Sequence, residues 1–322
     1  MLITGTFIDD GLGDIASNNW GIKEWERDFF VMKEVGISTV IPLRCGLCDW
    51  ANYPSEALVK YAGARLPEND WIGMMLSLAE KYEMEFLMPI YCGWYTDKQK
   101  ELSINFNVID ELWAKYGKSK NFKGWYNSFE LNSRFKSSAD MVASVGRHCK
   151  EVSGNLPVLL SPYIPYTLFN PAKEKTLKNI SCEKSQLQQH YADWDEMLAE
   201  LEGSTDIIAF QDGHVAYHEF ADFLAINSKV IKKHNMKIWT NVELFSRDMP
   251  HFRFPPLDWR IVDYKLSEAE KKGQVEKAIT FEFAHFMSPF SLWASARNLF
   301  CRYCEHNGID AEKIIDEASA MK

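Results

Sequence analysis

Eight short β-rich runs, each followed by a longer helical pattern, fill the 322 residues with no Pro/Gly-rich linker between them. Strands alternating with helices require a parallel sheet covered on both faces. Eight such units in a chain of this length predict a single α/β domain over 1–322, a (β/α)8 TIM barrel. A doubly wound sheet is the competing architecture. It more often carries a Gly-rich phosphate turn after an early strand, and the sequence has neither G-x-G-x-x-G nor a P-loop.

The first strand is read over 2–8, and the helix after it, 23–35, stops at Gly36, a residue suited to a helix C-terminus. The second strand, 39–43, precedes a helix over 69–82 with Asn69 or Asp70 as N-cap. The third strand is 85–91, followed by a helix over 97–116 that ends at Gly117. The fourth, 123–129, leads to a helix over 138–152 capped by Ser137 or Ser138. The fifth, 157–160, continues into Ser161-Pro162-Tyr163, then a Lys-rich rim loop near 165–185 and a helix over 188–201. The sixth, 206–210, precedes a helix over 216–234. The seventh, 237–242, opens a second long rim loop, 245–263, with three prolines and Trp259, then a short helix over 267–272. The eighth, 278–283, is followed by a last helix over 289–306.

Composition narrows the function. A hydrophobic fraction of 46% with 25% charged residues excludes a disordered chain. With 36 Lys and Arg against 45 Asp and Glu, the net charge of −9 argues against nucleic acid as a partner. No window approaches 18 apolar residues, so no membrane span is expected. Residues 1–7 lack the basic and apolar regions of a signal peptide, which points to the cytoplasm; a secreted or periplasmic location would imply a trimmed leader. The odd count of 7 cysteines fits reduced thiols. Two C-x-x-C pairs, Cys45/Cys48 and Cys301/Cys304, are set apart by the barrel and do not read as one zinc site. The unusual number is the aromatics: 11 Trp, 13 Tyr and 20 Phe.

In such a barrel the chemistry sits where the strands end at their C-termini. Those positions carry Asp9, Arg44, Tyr91 (with Trp94 and Tyr95 next), Glu130, Ser161 and Tyr163, then Gln211, Asp212 and His214, Asn241 and Glu243, and finally Glu282 and His285. Glu130 and Glu243 both emerge from apolar, aromatic strands, where a charge is costly unless used or paired. Two carboxylates on opposing sides of the mouth suit glycoside hydrolysis, which needs an acid on one side of the bond and a nucleophile or base on the other. Glu130 is read as general acid/base and Glu243 as nucleophile of a retaining mechanism, with Arg44 and Asn241 orienting Glu243. Asp9, Gln211, Asp212, Glu282 and His285 are read as ligands of sugar hydroxyls, and His214 as a substrate contact. Trp20, Trp50, Tyr53, Tyr91, Trp94, Tyr95, Tyr163, Tyr166, Tyr217 and Trp259 supply aromatic faces on which sugar rings pack.

Glutamates ending the fourth and seventh strands, with Arg44 at the second, resemble the layout of the retaining (β/α)8-barrel glycoside hydrolases. That clan's acid/base usually follows an Asn, where Phe129 stands here. It usually has a Tyr near strand six and a Trp at strand eight, where this chain has Gln211-Asp212 and Glu282. More closely, Gly5-Thr6-Phe7 to Asp9, Asn19-Trp20-Gly21 with Glu24-Trp25, Gly124-Trp125-Tyr126 to Glu130, Ala209-Phe210-Gln211-Asp212-Gly213 and Thr240-Asn241-Val242-Glu243 resemble a family of uncharacterised bacterial barrel proteins provisionally assigned as glycoside hydrolases. The resemblance implies an oligosaccharide or glycoside substrate, no cofactor and no metal.

Other chemistries have thinner support. His214, His218 and Glu219 share metal-ligand residue types, but the order is not His-Glu-x-x-His and no third ligand is near. Ser161 precedes a proline and lies in no Gly-x-Ser-x-Gly elbow. A non-catalytic carbohydrate-binding barrel is the alternative function, followed by a metal-dependent barrel hydrolase.

Overall fold

The computed structural model describes residues 1–9, 16–93, 97–165, 184–246, 254–272 and 274–321. Eight barrel strands form where the β-rich runs predict them: β1 (Ile3–Ile8), β2 (Thr39–Pro42), β3 (Glu85–Pro89), β4 (Phe122–Asn127), β5 (Val158–Leu160), β6 (Ile207–Gln211), β7 (Lys237–Asn241) and β8 (Lys277–Thr280). Each lies parallel to the next, and β8 returns to β1 with Thr280 opposite Thr6, closing a (β/α)8 barrel. Phe7, Ile41, Leu87, Tyr126, Leu159, Ile207, Ala209 and Ile279 fill the interior, so the barrel is a packed core rather than a pore. A larger apolar layer lies between the strands and the helices.

The helices are α1 (Ile22–Glu34), α2 (Trp71–Lys81), α3 (Lys98–Tyr116), α4 (Ala139–Ser153), α5 (Lys184–Leu201), α6 (Phe220–Lys233) and α7 (Trp259–Lys272), then a single turn α8 (Phe283–Phe286), α9 (Ala294–Asn307) and α10 (Ala311–Ala320). Of the expected caps, Asp70 accepts the Gly73 N–H, whereas Ser138 precedes α4 without a side-chain cap bond; Asp97, read as the first residue of its helix, instead caps α3 by accepting the Lys100 N–H.

Three of the departures from expectation involve hydrogen bonds of short polar side chains. First, α7 begins at Trp259 rather than 267. Asp258 accepts the Arg260 N–H at 2.9 Å, and this cap starts the helix directly after the proline segment. Trp259 therefore packs on Tyr303 and His306 of α9 instead of facing the mouth. Second, the expected helix over 289–306 is broken. The Ser288 and Ser291 hydroxyls accept the Phe290 and Trp293 N–H groups and hold a turn ahead of α9. Third, α10 has no counterpart in the sequence reading. Asp310 caps it at Lys313, and it packs on α1 and α9, joining the last unit to the first.

A small sheet sits over the ends of β2 and β3. Gly46–Leu47 pairs antiparallel with Trp50–Ala51 and parallel with Tyr91–Cys92. Both barrel strands end in proline, which has no N–H to continue a ladder.

Candidate functional site

The site is built from residues just past the strand ends, and its most constrained member is Glu243. In β7 the ladder reaches Asn241, which stands opposite Gln211 of β6 and Ile279 of β8. Beyond it, the Val242 and Leu244 N–H groups donate to the Ile279 and Phe281 carbonyls on the β8 side, at 2.8 Å each. The intervening Glu243 N–H points to the β6 side, where the strand has ended. There it donates to Asp212 Oδ1 at 3.0 Å. Lys265 of α7 donates from Nζ to the same Asp212 oxygen at 2.8 Å and to the Glu243 carbonyl at 3.3 Å. Both side chains of this ion pair are about 95% buried (5% and 4% exposed). Burial holds the Asp212 carboxyl above its ordinary range, and the Lys265 charge acts in opposition.

The Glu243 side chain is 3% exposed. Its Oε2 lies where a side chain at Gly213 would begin: a Cβ there would stand 1.6 Å away. Asp212, read from sequence as a sugar ligand, is thus committed to the wall between β6, β7 and α7. It lines an apolar void beneath α6 with Phe210, Phe223 and Thr240.

Glu130 is held quite differently. It lies three residues past β4, is exposed, and receives Gln211 Nε2 at 3.5 Å. The same Gln211 nitrogen donates to the Ser161 carbonyl at 3.0 Å. Tyr163 bridges to Gln211 in parallel fashion, and its hydroxyl meets His214 Nδ1 at 3.1 Å with the rings edge to face. The segment 211–214 therefore gathers Glu130, Tyr163, His214 and Glu243 around one rim. Tyr126, at the top of the barrel core, lies within the electrostatic reach of both glutamates. Burial first, and then the charge of Glu130, push its phenol well above the ordinary range, with Arg44 opposing.

On the far seam, the Asp9 N–H donates to Glu282 Oε2 at 3.0 Å, and Arg44 Nη2 stands 3.9 Å from Asp9 Oδ1. Glu282 is fully buried, so it closes the β1–β8 seam much as Asp212 closes the β6–β7 seam. His285 is also buried. Its Nε2 accepts the Trp293 indole N–H at 3.1 Å, which leaves Nδ1 to carry the proton of the neutral ring.

Several other sequence candidates stand apart from this rim. The buried Tyr91 donates its hydroxyl to the Cys48 carbonyl at 3.0 Å and belongs to the small sheet. Tyr53 is fully buried and donates to Glu111. Trp20 packs edge-on to Trp25 of α1. Asn241 is buried in the β5–β7 wall, with Nδ2 3.4 Å from Ser161 Oγ. Tyr217 is 59% exposed. Trp94, Tyr95, Tyr166 and most of the loop near 165–185 lie outside the described residues. Among the described residues, no three His, Cys, Asp or Glu side chains gather as metal ligands, and no helix is long and apolar enough to cross a membrane.

Three contributors escape a strand-end reading: Lys265, Gly213 and Tyr126. Lys265 did leave a trace, because it shares the buried face of α7 with Val262, Leu266 and Ala269, and a lysine on that stripe needs an acidic partner.

This geometry can be set beside known proteins. The chain belongs to the DUF4434 family, a domain of unknown function, which it matches over residues 3–293. It is 41% identical to a protein of Bacteroides thetaiotaomicron VPI-5482 provisionally named an alpha-L-fucosidase, whose crystal structure superposes with a TM-score of 0.87 over 96% of each chain. Two more distant likenesses concern the fold. A beta-galactosidase from Marinomonas ef1 is 11% identical, with a TM-score of 0.56 over 98% of this chain and 61% of that one. A family 1 beta-glucosidase from Thermotoga maritima is 9% identical, with a TM-score of 0.53 over 88% of each. None of the curated proteins matches the chain.

Proposed function

We propose that the protein is a glycoside hydrolase that acts with retention, with Glu243 as nucleophile and Glu130 as general acid/base. The observation carrying this reading is the pair of carboxylates on either side of Gln211-Asp212-Gly213, one buried against Gly213 and the other exposed beside Gln211. In the first step the Glu243 carboxylate attacks the anomeric carbon while Glu130 gives its proton to the departing oxygen. In the second, Glu130 takes a proton from water, which displaces Glu243 from the sugar. A nucleophile must hold one position, and Glu243 is fixed through its main chain. An acid/base must exchange protons with incoming water, and Glu130 is accessible to it.

Asp9, Arg44, Tyr163, His214 and His285 complete the mouth as candidate hydroxyl and ring contacts. The name of the 41% identical protein makes an α-L-fucoside the first substrate to try. A panel of chromogenic aryl glycosides, headed by the α-L-fucoside, tests the proposal. Hydrolysis of one member with retained configuration, abolished by Glu243→Gln, is the expected result. Binding of that sugar with unchanged turnover in Glu243→Gln would overturn the nucleophile assignment. Binding without any turnover would favour a carbohydrate-binding barrel.

A further inference from the structure

We infer that Lys265 is a positioning residue: together with Asp212 it clamps the main chain of Glu243 and so sets where that carboxylate stands. The inference rests on the reading of Glu243 as nucleophile, and the clamp itself rests on geometry alone.

Both main-chain polar groups of Glu243 are used by one buried ion pair. Its N–H goes to Asp212 Oδ1 and its C=O receives Lys265 Nζ. A neighbouring strand would normally satisfy both groups. However, β6 ends at Gln211, opposite Asn241, so at residue 243 no β6 backbone remains to pair with. A buried main-chain group without a partner is costly, so the ion pair substitutes for the missing strand. The two flanking N–H groups are fixed from the β8 side. Residues 242–244 are therefore held from both sides, and the carboxylate is pressed onto Gly213, next in sequence to Asp212. Lys265 reaches this point from α7, 22 residues after Glu243. Buried in the wall, its ammonium donates to Asp212 and to the Glu243 carbonyl, so it acts through the main chain of Glu243.

Removing Lys265 alone would leave Asp212 charged, buried and unpaired, which endangers folding. The test therefore neutralises both partners in Asp212→Asn with Lys265→Met. The side-chain amide that Asp212→Asn introduces still offers an oxygen to the Glu243 N–H, while the donor to the Glu243 carbonyl is lost. Amide hydrogen exchange of the peptide spanning 242–246 is the first readout and needs no substrate. It should quicken about tenfold or more, while the peptides covering β6 and β7 keep their protection. Turnover is the second: kcat should fall about 100-fold, with KM changed by less than about threefold, as for a displaced reacting group in an intact binding site. Lys265→Arg, which keeps the charge and the donors, should recover most of both.

Unchanged exchange at 242–246 would overturn the clamp. Quickened exchange with unchanged kcat would overturn its positioning role. If no glycoside is hydrolysed by the unaltered protein, the proposed activity fails separately, and the exchange result still decides the clamp.

Discussion

The two candidate catalytic carboxylates are anchored in opposite ways. Glu243 is buried, its main chain is gripped by a buried ion pair, and its carboxylate fills the space left by a glycine. Glu130 is exposed, stands on a loop past β4, and meets Gln211 at a long 3.5 Å. The difference teaches that the wall of this barrel is stiffest where a fixed position matters and looser where a group must meet water and protons.

The largest test of that contrast removes the fixed group. Glu243→Gln should lower kcat on the cognate glycoside by about 10⁴-fold or more, read by steady-state kinetics with the fold checked by circular dichroism. Glu130→Gln should cost about 10³-fold on a glycoside with a poor leaving group. In kcat/KM, which reports the first step, the loss should nearly vanish on a dinitrophenyl glycoside, which departs without a proton, while kcat stays low because Glu130 is also the base for water; an equal loss of kcat/KM on both substrates would break the acid assignment. Gly213→Ala sharpens the comparison further. This glycine carries no positive φ, so alanine suits the backbone, and the atoms nearest the new methyl belong to Glu243 and Phe245. We expect kcat about 100-fold lower with a melting temperature within a few degrees. A large drop in melting temperature instead would mean that residue 213 serves packing.

The last prediction leaves turnover almost untouched and asks what a buried carboxylate does without an ammonium in contact. Asp28 of α1 is fully buried, accepts the Ser288 hydroxyl, and is pushed up to about 7 by burial. Its folded pKa exceeds its unfolded value, so its contribution favours the fold at low pH and is lost as pH rises through about 7. Asp28→Asn should therefore stabilise the protein at pH 8, by up to about 4 kcal/mol, and by progressively less toward pH 4. Thermal unfolding at pH 5, 6.5 and 8 measures it. A pH-independent effect would show that Asp28 does not titrate in the fold.

Strand count, order and the strand-end placement of several candidate residues were legible in the sequence, because period and turn residues report local structure directly. The positions of Asp9, Arg44, Glu130, Gln211, Glu243 and Glu282 at strand ends follow from that reading. What each does was harder to see. Asp212 and Glu282 looked like ligands, yet they finish seams where strands stop short, a fact set by register rather than composition. Lys265 lies on a different element, and only the closed barrel brings it to Glu243. The helix breaks at Ser288 and Ser291 and the early start at Asp258 came from side-chain hydrogen bonds that periodicity does not encode.

The substitution of an ion pair for a missing strand also bears on transplantation. Copying Glu243 alone into another barrel whose sixth strand ends at the same register would deliver a carboxylate on a slack segment, because nothing there would replace the missing strand. The portable unit is a constellation drawn from two loops and a helix: the glutamate, the aspartate and glycine beside it, and the distant lysine. A search by short sequence motif would find three of these members in two separate fragments and miss the fourth, whereas a search by spatial template would retrieve them together.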